Sequence, residues 1–276
     1  MESVSVLCTG CRTVMTVHPS GRCEGCERAS GLPRDIAVPV AVPATRPHPA
    51  VRTASPWGPA AAVLALLGIS AAAAVFSIVV HFQLYGLLDL ISGDGPDDVA
   101  LDAAERADNL QSLADWCQLA TLLPTAIAFV VWLRRVRLNA EVFVPDGHRR
   151  ARGWVIGGWL VPGINFWFPK QIADDIWRAS RPYAPDGTPQ RASLAPVTLW
   201  WAAWLADFAV GCVYGGLIVK AEEPDEFRTA IDALIVDDVL TVVVAGLAAL
   251  FVALLSRMQT AKLRQGPLPT LVVSLE

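Results

Sequence analysis

The sequence predicts an all-α membrane protein: four transmembrane helices, a re-entrant or interfacial hairpin with an amphipathic helix, and a small N-terminal four-cysteine zinc ribbon. Three observations predict it. Hydrophobic residues make up 54% of the 276-residue chain and charged residues only 17%, where a soluble domain is about a quarter charged. Four long runs are apolar on every side, without the alternation of barrel strands. Four of the six cysteines cluster near the N-terminus as two Cys-x-x-Cys pairs.

The head comes first, over residues 1–30. Cys8-Thr-Gly-Cys11 and Cys23-Glu-Gly-Cys26 are separated by 11 residues. Two such knuckles supply the four thiolates that structural zinc prefers. Gly10 and Gly25 occupy the same place in each knuckle, where glycine lets the backbone turn tightly and aim amides at sulfur. Thr13 to Val17 suits a short strand, and His18 to Gly21 suits a turn. Disulfides need an oxidising compartment, and a thioredoxin-like redox pair needs a βαβ unit larger than this segment. Zinc is the expected cofactor, and the head would be unfolded without it. Its expected job is contact with a cytoplasmic protein. Nucleic acid is not an expected partner, since only Arg12, Arg22 and Arg28 add positive charge.

Residues 31–58 read as a linker, because Pro33, Pro39, Pro43, Pro47, Pro49 and Pro56 break helix and strand and favour an extended spacer. A transmembrane domain follows over 59–257. Its spans run from about Pro59 to Leu88, Trp116 to Leu133, Leu194 to Val219 and Leu234 to Leu255. Each is near the roughly 20 residues a helix needs to cross the bilayer. The first apolar stretch begins too late for a cleavable signal peptide.

A fifth apolar run, Trp154 to Phe168, is too short to span. As a helix it would reach only about 22 Å. Pro162-Gly163 breaks it and Pro169-Lys170 ends it. The run reads as a re-entrant or interfacial hairpin. Lys170 to Ser180 then places Ile172, Ala173, Ile176 and Trp177 on one helical face, with Gln171, Asp174, Asp175 and Arg178 on the other. Such a helix suits the headgroup layer.

Charge sets the orientation. Acidic residues dominate the loops after the first and third spans, from Asp89 to Asp115 and from Glu222 to Asp232. Arg134, Arg135, Arg137, Arg149, Arg150 and Arg152 follow the second span, and Arg257, Lys262 and Arg264 follow the fourth. The positive-inside bias places both termini in the cytoplasm of a multi-pass plasma-membrane protein. Five spans would put the basic tail outside. The tail covers 258–276.

Few side chains in the membrane carry chemistry. Asp207 lies mid-span, where an acid is costly and marks either a site or a packing residue bonded to another helix. His81 reads as interfacial. Asp237 and Asp238 read as the start of the fourth helix, where acids suit the dipole. Cys117 and Cys212 read as small fillers. Trp154, Trp159, Trp167, Trp177, Trp200, Trp201 and Trp204 read as anchors at the interface. No Ser-His-Asp set, HExxH helix, P-loop or GxGxxG motif occurs, so no catalytic residue is assigned.

The stretch Trp159-Leu-Val-Pro162-Gly-Ile-Asn165-Phe-Trp-Phe-Pro169, followed by Trp177-Arg178-Ala-Ser180, resembles the signature of a bacterial membrane family, domain of unknown function 4328. The resemblance covers roughly Trp57 to Arg257. It implies four membrane helices, in some members with an N-terminal zinc-ribbon-like head, and it implies no reaction. Trp159, Pro162, Asn165, Pro169, Trp177, Arg178 and Asp207 form the candidate structural or functional centre. The expected function is a non-enzymatic scaffold or sensor that sits in the lipid bilayer and uses its zinc head for protein contacts. The alternative is a small-solute or ion transporter with a site at the broken Trp154–Pro169 segment and Asp207.

Overall fold

The computed structural model describes residues 6–9, 11, 15–16, 21–26, 53–91, 97–220 and 224–265. Most of the 31–58 linker, Gly10, His18 and tail residues 266–276 lie outside the described residues. The chain divides into two compact units, Met1–Ala50 and Val51–Glu276.

In the first unit, β1 (Val6–Leu7) pairs antiparallel with β2 (Met15–Thr16), with Val6 opposite Thr16 and Leu7 opposite Met15. Residues 24–26 form a helical turn. Among the described residues of this unit, Gly21 bends the backbone, at φ +67°, a region that side chains disfavour. Gly25 sits in the helical turn, and a Cβ there would meet nothing within 4 Å. The expectation that Gly25 is needed for a tight knuckle is therefore corrected. The turn it was meant to supply comes earlier.

The second unit holds four long helices: α1 (Trp57–Ile91), α2 (Asp97–Phe143), α5 (Ala195–Ile218) and α6 (Pro224–Gln265). All four are long and apolar enough to cross a membrane. Only 17–33% of each apolar window is buried inside the protein. Much of the rest is exposed, as a lipid solvent requires, and part is half-buried against the core. The chain is a multi-pass membrane protein.

Several helices outrun the spans expected of them. At 1.5 Å per residue the 47-residue α2 reaches about 70 Å, more than twice a hydrocarbon core of about 30 Å. The acidic stretch read as a loop is helical from Asp97, and α6 begins at Pro224. Hydropathy stops where charge begins, but Ala, Leu, Glu and Arg continue a helix into water at little cost. Asp237 and Asp238 therefore lie well inside α6, not at its start, and the dipole argument for them falls.

The helices pack in the order α2, α1, α6, α5. The outer members α2 and α5 are not packed along each other, so the bundle is open on one side. Pro124 sits inside α2. Nearby hydroxyls bond back to the chain, Thr121 to the Gln118 carbonyl at 2.9 Å and Thr125 to the Thr121 carbonyl at 2.7 Å. Such bonds let a membrane helix tolerate proline.

Three short elements close the basic end: α3 (Trp154–Leu160), a 3-10 turn (Ile164–Phe166) and α4 (Phe168–Ala179). The break falls at Pro162-Gly163 as expected, with Gly163 at φ +80°. Pro169 sits in the first turn of α4, where its missing N–H costs nothing. A Cβ on Gly158 would stand 3.3 Å from the Phe168 Cβ, so glycine lets α3 close onto α4.

The expected place of α4 needs correction. Ile172, Ala173, Ile176 and Trp177 are all buried in the protein core, against α2 and α6 residues such as Val136 and Phe251. The apolar face is consumed by protein and is not laid in the headgroup layer. Asp175, assigned to the polar face, is also buried.

The tryptophans are likewise core, not belt. Trp177, Trp200 and Trp201 are buried. Trp200 stacks on Phe251 at 5.1 Å, and Trp201 stacks on Trp204 at 4.8 Å. Trp159 meets Trp204 edge-on at 5.8 Å. Aromatic pairs in these geometries add about 0.5–1.5 kcal/mol each beyond area burial. Of the seven read as anchors, Trp167 at 53% has the exposure of one, as does Trp116 of α2 at 68%.

Candidate functional site

Two places concentrate chemistry, one in each unit. In the first unit, the Sγ atoms of Cys8, Cys11, Cys23 and Cys26 all lie within 4.8 Å of one another. Cys11 and Cys23 sulfurs are 3.8 Å apart. The Cys23 amide donates to the Cys8 sulfur at 3.1 Å, and the Thr9 amide donates to the Gly21 carbonyl at 2.9 Å. The second knuckle is thus tied back onto the first. Hydrogen bonds with Cys23 and Cys8 push the Cys26 thiol up to about 12. These four sulfurs could hold a metal ion, whose charge would keep them as thiolates.

In the second unit, the open side of the bundle forms a cavity of about 760 Å³. One wall is α2, from Gln118 to Val131. The facing wall is Trp200, Trp204 and Asp207 of α5. Thr241 and Ala245 of α6 and Ser70 of α1 form the floor, and Trp159 and Leu160 of α3 close the basic end. Trp200, Trp204 and Asp207 line up because they are four and three residues apart on one helix. Most of the lining is apolar. Asp207 accepts a hydrogen bond from the Thr241 hydroxyl at 3.1 Å.

Behind this cavity lies a buried polar pair. His81 Nδ1 of α1 stands 3.0 Å from an Asp238 carboxylate oxygen of α6, with side-chain exposures of 1% and 4%. Gln118 donates to the other Asp238 oxygen at 2.7 Å. Sequence reasoning placed His81 at the interface and missed the pair. The sequence offered His81 in the first span and the adjacent Asp237 and Asp238 in the fourth, but nothing in it paired His81 with Asp238.

The basic end carries a second buried network. Gln259 donates to the Val136 carbonyl at 2.8 Å and the Ser180 hydroxyl at 3.0 Å. Asn139 donates to Gln259 at 2.9 Å and to the Ala54 carbonyl at 2.8 Å. Lys262 donates to the Ala179 carbonyl at 2.8 Å. Arg149 meets the Asp175 carboxylate at 2.9 Å, and its own amide donates to the same group at 3.0 Å. Arg150 lies 3.8 Å over the Phe168 ring and bonds Gln171 at 3.0 Å. Together these contacts bolt α4 under the bundle.

The seven residues of the expected centre do not form one site. Trp159 and Asp207 line the same cavity. Pro162 is exposed, and Pro169 and Trp177 are buried structural positions. Asn165 sits half-buried in the 3-10 turn, and its Oδ1, an acceptor, is buried without a hydrogen-bond partner. Arg178 is exposed on the outer face of α4. In the Trp-Arg-x-Ser motif, Trp177 fills the core and Ser180 receives Gln259.

The model of the family described as Domain of unknown function (DUF4328) matches residues 96–257, more than half of the chain. The chain belongs to this family. The match begins after α1, so the expected start at Trp57 is too early by one helix. No curated protein and no solved structure matches the chain.

Proposed function

We propose that this member of the family is a non-enzymatic sensor or scaffold of the plasma membrane, which uses a cytoplasmic zinc head for protein contacts. The sulfur cluster carries the reading. A tetrahedron with metal–sulfur bonds of about 2.3 Å has edges of about 3.8 Å, and Cys11 and Cys23 stand at that separation. Zinc would hold the two knuckles together and supply no reaction. The basic ends of α2 and α6 support a cytoplasmic location for both termini, and a reducing cytoplasm suits free cysteines.

The test uses the full-length protein in neutral detergent. Immobilised protein should capture one defined partner that also binds when purified. Cys23→Ser or removal of residues 1–30 should abolish capture while the bundle keeps its melting temperature. Equal capture by the Cys23→Ser protein would end this reading. Reporters fused after Arg191 and after Glu226 should sit inside and outside; an external signal at Arg191 would end the orientation.

Transport of a small solute or ion is a second reading, favoured by the shared cavity of Trp159 and Asp207. It requires that Asp207→Asn abolish flux at normal expression.

A further inference from the structure

The open side of the bundle is an unusual combination. Its volume of about 760 Å³ falls in the range that holds a drug-sized ligand. Its walls are apolar, yet Asp207 presents a carboxyl group to them, near the middle of α5. Among the described residues no Lys or Arg lines the cavity, and no salt bridge reaches Asp207. The Thr241 hydroxyl is a neutral donor. One turn away on the same face stands Trp204, with Trp159 edge-on to it.

We infer that this cavity is a binding site for a lipophilic cation: a quaternary or protonated amine, or a phosphonium, carried on an apolar body. The chemistry of each wall selects that class. A cation would complete the charge of Asp207 where hydrocarbon leaves a carboxylate uncompensated. Trp204 lines this wall with Trp201 and Phe208 stacked along it, and the quadrupoles of such a ring cluster attract cations, tryptophan most strongly. The apolar wall from Leu119 to Val131 takes the ligand's body. An anionic lipid finds no basic partner here. A neutral chain would fill the space but leave Asp207 with Thr241 alone. The gap between α2 and α5 opens sideways, so the ligand can enter from the lipid. Binding is the claim; flux is not. The site does not depend on the cysteine head.

Equilibrium dialysis of labelled tetraphenylphosphonium against full-length protein in neutral maltoside micelles tests the inference. Binding should saturate near one per chain and be displaced by dodecyltrimethylammonium but not by neutral triphenylphosphine oxide. Asp207→Asn should weaken it about tenfold or more. Trp204→Leu should weaken it several-fold, and Trp204→Phe should largely keep it. Exposed Asp102→Asn should change nothing. Should Asp207→Asn fail to fold, the contrast between Trp204→Leu and Trp204→Phe decides. Unsaturable binding, equal displacement by the neutral competitor, an unchanged Asp207→Asn protein, or the same loss in Asp102→Asn would each overturn the proposal. Saturable binding without transport leaves it standing and removes the transport reading.

Discussion

His81 of α1 and Asp238 of α6 face each other at 3.0 Å inside the bundle, both almost wholly buried. Removing one partner of a buried ionisable pair strands the other and typically costs about 3–5 kcal/mol. Asp238→Ala or His81→Ala should therefore lower thermal stability in detergent sharply. Replacing both with Leu should recover part of the loss, because the pair itself is roughly balanced against apolar packing, while the Gln118 amide loses its Asp238 acceptor. A double variant as unstable as the sum of the single ones would refute this account.

Gln259 bridges α2, the end of α4 and α6 through Val136, Ser180 and Asn139. Leucine in its place leaves buried partners unpaired, each costing about 1–3 kcal/mol. Gln259→Leu should destabilise by that order and release α4 first. Hydrogen exchange at 168–180 should rise before exchange in the spans. Uniform loss of protection across the protein would mean that the network does not specifically hold α4.

These two networks were illegible in the sequence, and the reason is physical. Cys8 to Cys26, the four spans and the break at Pro162-Gly163 are local signals, set by spacing and by backbone chemistry. His81 and Asp238 meet only because α1 packs on α6, a tertiary fact. Tryptophan suits both a core and an interfacial belt, so composition alone could not place Trp200 in the interior. The cavity was half legible: Asp207 and Trp159 stood out singly. Their convergence needed the open edge between α2 and α5.

Metal removal should separate the two units. Elemental analysis of the purified protein should find about one zinc per chain, released by a strong chelator. The chelator should abolish order in the head and leave helical signal and bundle melting unchanged. Cys26→Ser should behave like chelated wild type. Full head protection after complete metal loss would show that the head folds without metal.

His148 should give the protein a pH response outside the spans. Burial, and then the neighbouring Arg137 cation, push its imidazole below the ordinary 6.5. Glu141 and Asp175 lie close enough to oppose this in part, without reversing it. The unfolded chain thus takes up a proton at higher pH than the folded one, so stability rises with pH and is lost as pH falls through about 6.5. The loss should appear locally, where His148 adjoins the Arg149–Asp175 contact. Hydrogen exchange over 144–153 should be slower at pH 7.5 than at pH 5.5, and His148→Gln should flatten the difference. Asp186 provides the contrast. Its carboxylate is held below the ordinary 3.8, first by the Thr188 hydroxyl, so its contribution persists until pH falls below that range. It cannot produce a change between pH 7.5 and 5.5. The same pH dependence in His148→Gln would assign the response to another group.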